Sequence, residues 1–396
     1  MTEISQFSLG MKKNIKEKPI VKTDYRFKII YAIDMMCVLA SHLQGKGSIE
    51  LNIQDWFPYR SFHMPLFMFS SGYFFKIKNV SHSSNYIFRK FKRLILPIYS
   101  YNLIYGFFLQ LLKRMGFKNI TKSFSLSIIL IEPLGGSDFS LIRASWFSSS
   151  LFFVEIYNII KRKAISLFKF EPNEIMYFII DFFISYYSVT LSNKDYNKIK
   201  LYKHILRFFH LNIYYEFGIL FNKHIEFFTR KIKNDIYFII IFLLKLCFYL
   251  YYANVPVFQY SRSIYYNYSP FTVVIISTLG IVFWLRISEL LQPMLGKNFY
   301  INIIADNTFS IMMNHLFAIF IIKTIFAIIS KNTNYCKDFN FYKYYNMNNY
   351  IYIPNNILQT GIIYFLSCLI IPIIIQKIIN KIKHMISKFC SIKNLK

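Results

Sequence analysis

The chain has 396 residues, of which 55% are hydrophobic and 20% aromatic, and its mean hydropathy is +0.35. This composition excludes an ordinary soluble enzyme. The formal charge of +28 does not by itself indicate nucleic-acid binding, because basic loops beside anionic lipid headgroups give the same excess. The five cysteines form no CxxC pair and therefore predict neither a metal site nor a redox site.

Ten apolar blocks predict ten membrane-spanning helices, since a bilayer core needs about 20 residues of helix. They lie at 27–43, 61–76, 94–112, 145–160, 175–192, 204–222, 235–253, 270–290, 307–330 and 357–377. The expected fold is thus an all-α, polytopic integral membrane helix bundle in the lipid bilayer. Lys and Arg are more frequent in the segments that are inside when both termini are cytoplasmic. We therefore divide the chain into a basic N-terminal segment (1–26), a membrane domain (27–377) and a basic tail (378–396).

The first block, FKIIYAIDMMCVLASHL, carries two ionisable residues on one helical face. Asp34, Val38, Ser41 and His42 recur at i, i+4, i+7 and i+8. A neutral histidine can take a proton from a hydroxyl group, so this face is a candidate for acid–base chemistry. The alternative is that the face only packs against other helices, with Asp34 paired to a lysine. About 12 Å of helical rise separates Asp34 from His42, so we expect Asp34 to contact something else.

The second block, FHMPLFMFSSGYFFK (62–76), begins with His63. A short loop keeps it near His42 on the predicted outer side. Two histidines could bind a metal ion, but no third ligand at suitable spacing accompanies them, so we favour acid–base work and expect no metal. Pro65 falls in the first turn, where proline is tolerated, and the Ser70-Ser71-Gly72 step predicts a close approach of two helices.

Further polar residues lie inside later blocks, and each has a functional and a structural explanation. Glu155 could act chemically or pair with Lys161 near the helix end, and His315 could act chemically or satisfy an interhelical hydrogen bond. Trp146 could bind substrate or anchor the helix at the membrane interface. Lys245, in the middle of the seventh block, matches no motif.

Taken together, these segments resemble the acyltransferase-3 family, particularly its branch of fucose 4-O-acetylase-like sugar acetyltransferases. The resemblance rests on His42 at the end of the first helix, on FHMPLFMFSSGYFFK, and on the order of four later segments: RKFKRLILPIYSY (89–101), SWFSSSLFFVEI (145–156), YYEFGILFNK (214–223) and NTFSIMMNHLF (307–317). One departure concerns an arginine that many members carry eleven residues before the first histidine. Here that residue is Tyr31.

The resemblance implies transfer of acetyl from cytoplasmic acetyl-CoA to a sugar hydroxyl of a surface polysaccharide or its lipid-linked precursor, in the bacterial cytoplasmic membrane. It implies that His42 is the general base and that His63 is a second acid–base group or an oxyanion donor. The remaining catalytic candidates are Asp34, Glu155 and His315. The candidates for binding the CoA phosphates are Arg93, Arg89 and Lys92, which lie beside Lys90. The candidates for binding the acceptor are Trp146, Asn307, Ser71 and Tyr73. Ordinary positive-inside topology explains the basic run equally well.

Placed by depth, the polar residues predict a column across the bilayer. Arg93 lies at the inner surface, Glu155 and His315 in the inner half, Asp34 near the middle, and His42, His63 and Trp146 near the outer end. A polysaccharide or lipid-linked sugar transporter or flippase is the main alternative function, since it too would place charges along a path. A lipid-linked polymerase fits less well, because no single long outer loop carries paired arginines.

Overall fold

The computed structural model describes residues 23–43, 58–118, 124–136, 139–168, 172–194, 200–260, 266–347, 350–355, 357 and 359–393. Every regular element in these ranges is helical, which confirms the all-α prediction. The helices are α1 (Tyr25–His42), α2 (His63–Tyr73), α3 (Lys78–Ser81), α4 (Ser83–Lys90), α5 (Leu96–Arg114), α6 (Leu126–Leu130), α7 (Glu132–Gly135), α8 (Trp146–Ser166), α9 (Glu174–Lys194), α10 (Lys200–Leu220), α11 (Glu226–Thr229), α12 (Asn234–Tyr252), α13 (Pro270–Leu295), α14 (Phe299–Asp306), α15 (Thr308–Asn332), α16 (Phe341–Asn346) and α17 (Thr360–Lys393).

Six helical segments are long and apolar enough to cross a membrane, so the chain is a multi-pass membrane protein. They are 83–114, which joins α4 to α5, then α9, α12, α13, α15, and the part of α17 up to Lys388. The other four predicted blocks coincide with α1, α2, α8 and α10. Of these, α2 has only 11 residues, or about 16 Å, which is about half of the ~30 Å thickness of a typical hydrocarbon core.

The shortness of α2 is combined with very close packing against α10. A Cβ atom on Gly72 would lie 1.8 Å from the carbonyl oxygen of Tyr215, and one on Gly218 would lie 2.1 Å from the carbonyl oxygen of Phe69. The two backbones therefore touch where both helices carry glycine. This confirms the close approach predicted from the Ser70-Ser71-Gly72 step, and Pro65 lies in the first turn of α2 as expected.

Helix α1 is largely enclosed by other helices and packs against α2, α13, α14 and α15. Near its start, Lys28 pairs with Asp306 at the end of α14. Only Asn307 separates α14 from α15. After this short break, α15 continues the packing against α1 that α14 begins. This arrangement brings the last residue of α1 to the third turn of α15.

A buried ionic network joins α8, α9 and α10. Lys161 lies 2.5 Å from Asp181 and 3.1 Å from Glu216, while Arg162 contacts both Glu174 and Glu216. Charges buried at membrane depth are stable only when they are paired, and these side chains neutralise one another. The predicted alternative pairing of Lys161 with Glu155 is therefore wrong.

The most peripheral of the membrane helices is α12. Its exposed side chains are mostly large and apolar, as a lipid-facing surface requires, and its buried residues are Tyr237, Ile241 and Lys245. These three recur every four residues and so form one stripe on the side facing the protein. The burial of Lys245 on this stripe explains how a lysine is tolerated in the middle of an apolar block.

Candidate active site

Two of the predicted histidines lie side by side. The ring centroids of His42 and His315 are 4.7 Å apart. His42, the last residue of α1, is exposed, whereas the side chain of His315 is fully buried behind it. A molecule approaching the pair therefore meets His42 first.

This contact corrects the predicted column, which placed His315 in the inner half of the bilayer and His42 near the outer end. Fourteen residues separate Lys28 from His42, but only nine separate Asp306 from His315. Both ends of these two paths are in contact although the path along α1 is five residues longer, so the two histidines lie at the same level. Counting residues from the helix starts therefore misjudged the level of His315.

The hydrogen bonds of His315 define which ring nitrogen carries the proton. Its Nδ1 lies 2.8 Å from the carbonyl oxygen of Met312 and 3.1 Å from that of Ile311, so Nδ1 is the donor in the neutral ring. Its Nε2 is buried and has no hydrogen-bond partner among the residues that the structure describes. His315 thus presents an unshared lone pair inside the protein, as a proton acceptor should.

His63 is the third histidine of the cluster. It is the first residue of α2, it is buried, and its Nδ1 lies 2.8 Å from the carbonyl oxygen of Tyr59. It also interacts electrostatically with His42. Since Nδ1 donates to Tyr59, Nε2 of the neutral ring can accept a proton but cannot donate one. This geometry favours the acid–base role over the oxyanion role. Among the described residues, no group of three or more His, Cys, Asp or Glu is arranged to hold a metal ion.

Asp34 lies two turns before His42 on α1 and is completely buried. Neither of its carboxyl oxygens has a hydrogen-bond partner, and no ion pair in the described part of the chain includes it. The alternative of a lysine partner therefore finds no support there. It interacts electrostatically with Tyr31 and Cys37 on the same helix.

The basic run forms a second group, at the junction of α4 and α5. Residues 91–95 are a π-helical segment, a rare distortion that shifts the side chains after it and often occurs at functional sites. Arg89, Lys92 and Arg93 are exposed there. Arg93 interacts electrostatically with Tyr31, the residue at the place of the family arginine, so a cation from another helix is close to that position.

Glu155 belongs to this basic group. It is buried, and its Oε1 accepts a 2.5 Å hydrogen bond from Nζ of Lys90, with Arg93 close enough to interact electrostatically. The structure thus brings together Glu155 and the cations of the third block. It does not show Glu155 in contact with the histidines.

The four residues predicted to bind the acceptor lie in different environments. Trp146 is buried under Arg207, whose Cζ is 4.8 Å from the indole ring, so Trp146 is not an interface anchor. Asn307 donates 2.8 Å to the carbonyl oxygen of Ile303 at the α14–α15 break. Ser71 is half-buried on α2.

Tyr73 lies at the far end of α2, about 15 Å of helical rise from His63. Its hydroxyl donates 2.6 Å to Glu226, which is also bound by Arg26 at 2.7 Å. Burial alone would raise the pKa of Glu226, but the hydrogen bonds from Tyr73 and Arg26 outweigh it and hold that pKa below its usual value. Tyr73 therefore takes part in a structural network away from the histidines.

One polar set beside His315 was not predicted. Asn314 accepts a 2.5 Å hydrogen bond from the hydroxyl of Tyr105 and donates to Tyr101 and Ser310. These bonds fix α15 against α5 one residue before the histidine. The signal in the sequence was the i, i+4 spacing of Tyr101 and Tyr105, which is too common among these aromatic helices to stand out.

Comparison with known proteins adds one finding. The family model for the acyltransferase-3 domain matches residues 32–376, a range that includes every candidate residue discussed above from Asp34 to His315. No curated protein and no solved structure matches the chain significantly. Because the matched range covers most of the chain, the protein belongs to the acyltransferase-3 family of membrane acyltransferases.

Proposed function

We propose that the protein is a membrane O-acetyltransferase that moves acetyl from acetyl-CoA to a sugar hydroxyl of a cell-surface polysaccharide or its lipid-linked precursor. The proposal rests on the exposed His42, which lies beside a buried His315 whose Nε2 has no hydrogen-bond partner among the described residues. The resemblance of the motifs to the fucose 4-O-acetylase-like branch supports the acetyl donor and the sugar acceptor. We place about ten spans in the bacterial cytoplasmic membrane with both termini inside, as the basic segments 1–26 and 378–396 favour.

In the proposed reaction, His42 takes the proton of the sugar hydroxyl while the hydroxyl oxygen attacks the thioester carbon of acetyl-CoA. The C–O bond forms, the C–S bond breaks, and the proton passes from His42 to the departing CoA sulfur. His315 and His63 each direct Nδ1 at a backbone carbonyl, which makes Nε2 the proton acceptor of each neutral ring. No acyl-enzyme intermediate is needed for this sequence of steps.

The donor would bind at the basic group formed by Arg89, Lys92 and Arg93, where exposed guanidinium and ammonium groups suit the CoA phosphates. Arg93 interacts with Tyr31, which lies eleven residues before His42 on α1, or about 16 Å of helical rise. The extended pantetheine arm of CoA would bridge this interval. Asp34 lies along the same interval, which keeps it a candidate for contact with the donor.

Proton NMR of the host's surface polysaccharide tests the proposal through its O-acetyl signals. A deletion strain is complemented with wild type, with His42→Ala, or with His82→Ala, in which an exposed histidine away from the cluster is lost. The expected result is that acetyl is absent in the deletion strain and with His42→Ala, and returns with wild type and His82→Ala, with all proteins present in the membrane. A fall in polymer amount with unchanged acetylation would instead favour the transporter.

A further inference from the structure

Arg60 is a cation beside the histidine cluster for which the described residues supply no ion-pair partner. It lies in the 3₁₀ turn Tyr59–Ser61, immediately before α2, and its side chain is half-buried. Its Nε is buried without a hydrogen-bond partner, and no ion pair within the described ranges includes it. By contrast, Arg26, Arg162 and Arg286 each bind a carboxylate.

The turn that carries Arg60 is held in place from two sides. The backbone N–H of Tyr260 donates 3.3 Å to the carbonyl oxygen of Arg60. The Ser277 hydroxyl donates 2.6 Å to the carbonyl oxygen of Ser61, whose own hydroxyl donates 2.9 Å to the carbonyl oxygen of Phe258. These bonds fix the backbone at Arg60, so the position from which its side chain extends is defined before any ligand arrives.

The position of this cation links it to the proposed chemistry. Arg60 interacts electrostatically with His63, which in turn interacts with the exposed His42. The same turn supplies the carbonyl oxygen of Tyr59 that binds Nδ1 of His63. Arg60 and His42 are thus both electrostatic neighbours of His63.

We infer that Arg60 binds the carboxylate of an acidic sugar in the acceptor, such as a uronic acid. The described residues leave this half-buried charge without an ion-pair partner, which is unfavourable, and a ligand carboxylate would supply one together with two parallel hydrogen bonds. Arginine suits this role better than lysine because its planar fork matches a carboxylate. The inference rests on the proposed function in that the acceptor is a sugar.

Saturation-transfer NMR on the purified full-length protein in nanodiscs tests this inference without requiring turnover. The probes are methyl glucuronide and methyl glucoside, which differ in the carboxylate. We expect wild type to bind the glucuronide at least about tenfold more tightly than the glucoside, and Arg60→Gln to abolish that difference. Arg60→Lys should keep part of it, and Arg114→Gln, which removes an exposed arginine at the end of α5, should keep all of it.

Two results would overturn the inference. One is equal binding of the two probes by wild type, which is decisive even if Arg60→Gln fails to fold. The other is an Arg60→Gln protein whose kcat for acetyl transfer falls by the same factor for a neutral acceptor as for an acidic one. In that case Arg60 would stabilise the oxyanion and not bind a carboxylate. Selective glucuronide binding without any acetyl transfer would uphold the site and refute the proposed function.

Discussion

Replacing Gly72 by alanine probes the α2–α10 contact directly. The added Cβ would lie 1.8 Å from the carbonyl oxygen of Tyr215 and 2.7 Å from its carbonyl carbon. Both are backbone atoms, so no side-chain rotation relieves the overlap, and the helices must separate by about 1.5 Å to restore ordinary contact. Overpacking of this kind costs about 3 kcal/mol, which corresponds to a fall in Tm of about 5 °C or more.

Heating the detergent-solubilised protein and measuring the surviving monodisperse fraction by size-exclusion chromatography gives the Tm. Ser71→Ala is the matched control, because it alters the preceding residue of α2 without adding an atom and should shift the Tm by less than about 1 °C. Gly218→Ala should reproduce the Gly72→Ala effect from the other helix, since its Cβ meets the carbonyl oxygen of Phe69 at 2.1 Å. A Gly72→Ala protein with the Tm of wild type would show that the two backbones are not in contact.

Three further results are expected. Lys90→Met should lower the free energy of unfolding by about 2 kcal/mol, because it leaves the buried carboxylate of Glu155 without its ion-pair partner. In a double-mutant cycle, adding Glu155→Gln should restore most of the lost free energy. Additive losses from the two substitutions would contradict the pairing. Because the pKa of Glu226 is depressed in the folded protein, its carboxylate contributes fully to the free energy of unfolding above about pH 4.3. This contribution is lost as the pH falls through the folded pKa. The Tm measured from pH 6 to pH 3 should therefore fall less steeply in Glu226→Gln than in wild type. His315→Phe should lower kcat for acetyl transfer by at least about 10²-fold with little change in the KM for acetyl-CoA, whereas an unchanged kcat would exclude Nε2 from proton transfer.

The ten apolar blocks all coincide with helices, because length and hydropathy determine where a buried or lipid-facing helix can form. Which residues meet across helices depends on crossing angles, and these leave no local signal. The sequence motifs therefore contain His42 and His315 separately, and the contact of their rings depends on the packing of α1 against α15.

The partners of the charged residues were the least predictable part. Lys161 lies six residues from Glu155, yet Glu155 binds Lys90 from another helix, because side chains six apart point in different directions around a helix. Arg60 was missed for a different reason. In the sequence it is one more basic residue in a predicted outer loop, and only the structure shows that its Nε is buried without a hydrogen-bond partner among the described residues.

The length of α2 has a consequence for how a hydrophilic polymer could be modified by a membrane enzyme. With 11 residues, α2 covers only about half of the hydrocarbon thickness, so the bundle is thin on the side where His63 begins that helix. If His63 faces the outside and Tyr73 the inside, as the predicted topology requires, an α2 of half the hydrocarbon thickness would leave the reaction centre recessed from the outer surface of the bilayer. A sugar on a long polymer could then present its hydroxyl group there while the rest of the chain stayed in water.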